Sequence, residues 1–170
     1  PPHSLLSIAA PLVRDGYKVK IIDQRVDANW KQQLEHCLES KPICVGISAM
    51  TGPQILNAIE IAKVVRDVSG GAIPIVWGGP HPTTMPEQTL RSDLADIVCV
   101  GEGEETFLEL VMHLSMKRPL AEVRGIVFKD GGRVVVNPSR PLVDMDMLLP
   151  VPWQLVDVET PLPFQAQLQL

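Results

Sequence analysis

Ile73-Pro-Ile-Val-Trp77-Gly-Gly-Pro-His81-Pro82, followed by Asp96-Ile-Val-Cys-Val100-Gly-Glu-Gly-Glu-Glu105, decides the fold. Each half is a short apolar run that ends in glycine. Runs of this length bounded by turn residues read as strands buried on both faces. The second is followed by an apolar-periodic helix. Both glycine clusters then sit at the carboxyl ends of parallel strands, the edge where open α/β sheets bind ligands. Glycine lets a ligand approach the backbone closely, and a tight strand-to-helix turn is the plainer use.

Upstream, Ser4–Arg14 has helical spacing with Pro11 as a defect, and Tyr17–Ile22 reads as a strand ending at Asp23. Ala28–Ser40 and Gly52–Val68 read as helices flanking a buried strand over 42–48. Downstream, Pro86–Leu90 reads as a short helix, Glu104–Met116 as a longer one, and Gly125–Val136 as a β-hairpin turning at Asp130-Gly131-Gly132. The alternation implies a three-layer, flavodoxin-like (Rossmann-type) α/β domain on a parallel sheet over residues 1–145, closed by that hairpin. Prolines 150, 152, 161 and 163 make 146–170 an extended tail or linker. Such a sheet normally begins with a central strand, and here the chain opens on a helix. The first strand is missing from this reading: either the given sequence starts after it, or another segment fills its place, with the proline-rich tail or a second copy in a homodimer as candidates.

The chain has 170 residues and a net charge of −5. That balance argues against a nucleic-acid partner. No apolar run approaches the ~20 residues of a membrane span, and no secretory signal is legible. Cys37, Cys44 and Cys99 lack CxxC spacing, which argues against a metal site and suits a reducing cytoplasm; Cys44 and Cys99, inside apolar strand runs, read as packed thiols.

Four loops carry the candidate chemistry. In the first, Asp23 caps or binds, and Arg25 pairs with an anion or with a neighbour. In the second, Ser48 and Thr51 precede a helix N-terminus, and Met50 is either core or a flexible face for an apolar ligand. In the third, His81 beside Gly78-Gly79 has no second metal ligand and no nucleophile to serve, so hydrogen bonding is its expected role. In the fourth, Glu104 and Glu105 suit a helix N-terminus, while Glu102, between Gly101 and Gly103, is placed to meet a ligand. No phosphate-cradling motif is present. The residues describe a broad, mostly uncharged seat for a large flat molecule.

The runs V-G-I-S-A-M-T, V-W-G-G-P-H-P-T-T-M-P-E-Q and D-I-V-C-V-G-E-G-E-E-T-F-L-E-L resemble the cobalamin-binding domain of cobalamin-dependent radical S-adenosylmethionine enzymes. That family includes anaerobic magnesium-protoporphyrin monomethyl ester cyclases and many methyltransferases. The resemblance implies that cobalamin lies across the carboxyl edge. Ser48, Met50 and Thr51 would lie beside the ring, Gly78, Gly79 and His81 on the nucleotide-tail side, and Gly101, Glu102 and Gly103 along the remaining wall. Arg25 stands where the D-x-H-x-x-G motif of methionine-synthase-like domains has histidine, so no lower histidine ligand comes from this chain. No C-x-x-x-C-x-x-C motif is present. The S-adenosylmethionine and 4Fe–4S cluster would belong to a radical domain elsewhere in a parent enzyme, with this chain a non-catalytic module. Two other readings stay open: a ligand-free interaction or regulatory domain, and a stand-alone enzyme using His81 and Glu102 as acid and base.

Overall fold

A computed structural model describes residues 2–144 and 148–156. Its centre is a five-stranded sheet in the order β1-β2-β3-β4-β5. The strands are β1 (Val45–Ser48), β2 (Ile75–Gly78), β3 (Ile97–Cys99), β4 (Ile126–Asp130) and β5 (Arg133–Val136). β1–β2 and β2–β3 are parallel, with Val45 opposite Ile75 and Val76 opposite Ile97.

Alternation along each strand feeds two cores, as a pleated strand requires. Ile75, Trp77 and Val98 point to the layer of α2 (Trp30–Glu39) and α3 (Gln54–Ser69), where Leu34, Leu38, Ala58, Ala62 and Val65 are buried. Val76, Ile97 and Cys99 point to the opposite layer, where Leu110 of α6 (Glu104–Ser115) meets Val123, Ile126 and Phe128. Helix α1 (His3–Arg14) packs against α6. Trp77 fills the first core and donates its indole N–H to the Leu94 carbonyl at 2.8 Å.

Three details depart from the sequence reading. First, the sheet is mixed. Residues 116–125 carry the chain back to the edge where β3 ends, and Val100 N–H meets the Gly125 carbonyl there at 2.8 Å. β4 therefore runs antiparallel to β3, and the two-residue turn at Gly131-Gly132 returns β5 antiparallel again. Second, Tyr17–Ile22 belongs to no sheet. A strand exists by pairing, and among the described residues β1 lies at the sheet's border with no neighbour on that side. Third, Pro80–Thr84 forms a turn of helix, α4, ahead of α5 (Pro86–Leu90), because proline suits the first helical position. α1 runs through Pro11 without ending, as the helical spacing of 4–14 anticipates.

The boundary at 145 and the residues 145–147 and 157–170 of the expected tail lie outside the described residues. The described part, 148–156, is not simply extended. Pro152 is buried, a 3-10 turn forms at Trp153–Leu155, and Trp153 meets the His3 ring edge-on at 5.2 Å. Among the described residues, no helix is long and apolar enough to cross a membrane.

Candidate functional site

The carboxyl ends of β1, β2 and β3 put their three turns side by side, and backbone hydrogen bonds stitch them in sequence. Ala49 N–H donates to the Gly78 carbonyl at 2.9 Å. His81 N–H donates back to the Ala49 carbonyl at 3.2 Å, joining the second loop to the third. Gly101 N–H donates to Thr83 Oγ1 at 3.1 Å, joining the third to the fourth. Val143 N–H then donates to Glu102 Oε2 at 2.6 Å, which fastens the outgoing chain to the same edge. The first loop is tied separately, by Gln24 Nε2 to Glu60 of α3 at 3.2 Å.

This edge is an open shelf. Met50 is 52% exposed, and Thr51, Gly52, Gly101 and Glu102 are exposed beside it. Leu56, one turn into α3, is 70% exposed. Gly79 has φ +96°, and a Cβ there would lie 2.9 Å from the Ala49 carbonyl oxygen, so this glycine lets the second and third loops touch. Gly101 has φ +81° and nothing within 4 Å of the position a Cβ would take. Its bare backbone faces free space on the shelf. A ring laid on such a surface meets peptide planes rather than side chains.

The sequence-predicted residues separate into the edge and Arg25. Ser48, Met50, Thr51, Gly78, Gly79, His81, Gly101, Glu102 and Gly103 all lie along this one edge. Gly103 is partly covered, because Ile8 of α1 lies 3.1 Å from where its Cβ would be. Glu102 does not point freely at a ligand site, since its carboxylate accepts the Val143 N–H. Arg25 is turned onto Asp23, with Nε to Oδ1 at 2.9 Å and Nη2 to Oδ2 at 2.6 Å. The Arg25 guanidinium holds the Asp23 carboxyl below its ordinary range despite partial burial. A guanidinium has no lone pair to give a metal. Among the described residues, no three His, Cys, Asp or Glu side chains gather as a metal site.

Sequence reasoning missed Thr83, Ala49 and the strap formed by residues 137–143. Asn137 Nδ2 donates to the Leu120 and Val123 carbonyls at 2.7 and 2.6 Å. Arg140 reaches Thr106 Oγ1 at 3.1 Å, Glu105 at 3.2 Å, and Glu109. Only Thr83, in the run P-T-T after the glycine pair, carried a signal: a hydroxyl in a loop already marked as functional. Away from the shelf, burial pushes the thiols of Cys44 and Cys99 up to about 12.

The chain belongs to the B12 binding domain family, whose model matches residues 1–111. Its α/β fold is shared with cobalamin-dependent radical enzymes of solved structure. The chain is 36% identical over 154 residues to an uncharacterized methyltransferase of Pyrococcus horikoshii, covering 89% of this chain and 33% of that protein. It is 30% identical over 167 residues to the anaerobic magnesium-protoporphyrin IX monomethyl ester cyclase of Rubrivivax gelatinosus, covering 94% and 30%. In structure it resembles the cobalamin-dependent S-adenosylmethionine radical enzyme OxsB with aqua-cobalamin and S-adenosylmethionine bound, with a TM-score of 0.70 at 28% identity, covering 84% of this chain and 20% of that one. The chain thus spans about a third of the length of these curated relatives.

Proposed function

We propose that the shelf seats cobalamin, and that the chain serves as the corrinoid-binding module beside a radical S-adenosylmethionine domain of the kind its longer relatives carry. The observation that supports this most is the stitching of three consecutive turns into one exposed edge, with bare glycine backbone at 101 and a flexible thioether at 50. Ser48, Met50 and Thr51 would lie against the ring, Gly78, Gly79 and His81 beside the nucleotide tail, and Gly101, Glu102 and Gly103 along the far wall. Arg25 leaves the cobalt without a histidine ligand from the first loop. When bound, the corrinoid supplies a cobalt centre able to carry a methyl group or assist radical chemistry. This chain's residues bind it, orient it and shield one face from water.

Hydroxocobalamin titrated into the chain should shift the corrin absorption bands saturably. The shift should weaken in Met50→Glu, which places a charge on the shelf without touching either core. No shift at high micromolar ligand favours the ligand-free reading. Activity of the whole protein on any substrate lost in His81→Ala, without loss of cobalamin, would favour acid–base chemistry at the shelf.

A further inference from the structure

Three threonines stand on the two short helices after β2, and two of them turn their hydroxyls back onto the chain. Thr84 Oγ1 donates to the Pro80 and His81 carbonyls at 3.1 and 3.0 Å. Thr89 Oγ1 donates to the Met85 carbonyl at 2.9 Å. Such bonding to the preceding turn is the ordinary use of a helical threonine. Thr83 differs. Its backbone N–H donates to the Gly79 carbonyl at 3.1 Å, and its Oγ1 accepts the Gly101 N–H at 3.1 Å from the neighbouring loop. Among the described residues, the proton of this hydroxyl meets no acceptor.

A hydroxyl oxygen that accepts an N–H keeps its own O–H to give, and the accepted bond polarises that O–H into a better donor. Thr83 is half-buried, so its side chain is held by its surroundings as well as by Gly101. Gly101 is exposed, with nothing within 4 Å of the position a Cβ would take. The spare donor therefore sits at the rim of the free space on the shelf. Its surroundings select the acceptor. Glu102 follows Gly101, and Glu104 and Glu105 open α6 just beyond. Carboxylates so close in the chain disfavour an anionic group at this seam. A neutral oxygen, such as an amide carbonyl, suits it.

We propose that Thr83 is a specificity-determining donor of the shelf: its hydroxyl, clamped by the Gly101 N–H, donates to a neutral carboxamide oxygen on the rim of the seated corrinoid. The inference rests on the reading of the shelf as a cobalamin seat. A corrin ring carries carboxamides around its periphery, and each offers such an oxygen. The nucleotide tail offers a phosphodiester instead, which the acidic neighbours oppose. Thr83 then does two things at once. It ties the third loop to the fourth, and it recognises the edge of a ligand laid across both.

The test is absorption titration with hydroxocobalamin and with hydroxocobinamide, which keeps the ring carboxamides and lacks the nucleotide. Thr83→Asn and Thr83→Asp share one shape, and both keep an oxygen for the Gly101 N–H; only Asn can also donate. Thr83→Asp should bind both corrinoids about tenfold more weakly than Thr83→Asn, the loss of one hydrogen bond. Thr83→Val should lose at least as much, and Thr83→Ser should bind as the unaltered chain does. The Gly101 amide should exchange equally slowly in the Asn and Asp variants, which reports that the clamp holds. Equal affinities of those two variants, or full affinity in Thr83→Val, would overturn the proposal and leave Thr83 as a loop tie alone. A loss confined to hydroxocobalamin would overturn it in favour of the phosphodiester. If the unaltered chain shifts neither corrinoid's spectrum, the seat itself fails and the inference with it, a result distinct from equal binding by every variant.

Discussion

The Glu102 carboxylate accepts the Val143 N–H at 2.6 Å, across 41 residues of sequence. The loop after β3 is thereby tied to the strap that leaves β5, and the shelf's outer wall depends on a residue far downstream. Glu102→Ala removes the acceptor of an exposed, charge-assisted bond worth about 1 kcal/mol. The Val143 amide should then exchange several-fold faster, with the unfolding midpoint little changed. Glu102→Gln, which keeps an acceptor oxygen, should restore most of the protection. Native-state exchange measured by mass spectrometry checks both.

Gly79 and Gly101 both have positive φ but differ in surroundings. At Gly79, alanine combines backbone strain with a contact 2.9 Å from a main-chain oxygen that cannot swing away. Gly79→Ala should destabilise the fold by about 3 kcal/mol. Gly101→Ala meets open space and should cost about 1 kcal/mol through its backbone alone. Its methyl group projects over the shelf, so corrinoid affinity should fall further than stability does. Urea unfolding and absorption titration separate the two effects.

Asp23 and Arg25 offer a pH test. The Asp23 carboxyl is held low, first by its hydrogen bond to Arg25. A depressed carboxyl contributes stability above its unfolded-state value, near 3.9, and loses it as pH falls through the lower folded-state value. Arg25→Ala should therefore lower stability at pH 7 and make a shrinking difference as the pH drops through and below the unfolded-state carboxyl range. Paired urea titrations of the two proteins give the comparison.

The three cysteines should react unequally. Cys44 and Cys99 have thiols pushed up to about 12 by burial, so almost no thiolate exists at pH 8. Cys37, partly exposed on α2, should label with iodoacetamide at least tenfold faster in the native protein. In urea the three should label alike, as peptide mapping would show.

Local chemistry in the sequence was enough to place most elements and the glycine-lined edge at the carboxyl ends of β1–β3. Apolar runs ending at Gly78-Gly79 and Gly101 marked β2, β3 and the rim they share, because burial on both faces and tight turns are written in adjacent residues. The period of 52–68 marked α3, and Gly131-Gly132 the hairpin, for the same reason. What depended on distant partners was not legible. Tyr17–Ile22 has every mark of a strand, yet pairing is a property of two segments, and among the described residues none pairs with β1 on that side. The reversal of β4 was set by how residues 116–125 climb back past α6. The fates of Arg25 and Glu102 were set by which group lay within reach, Asp23 two residues away and Val143 forty-one away. Composition and period fix what a residue prefers; only the packed chain decides what stands next to it.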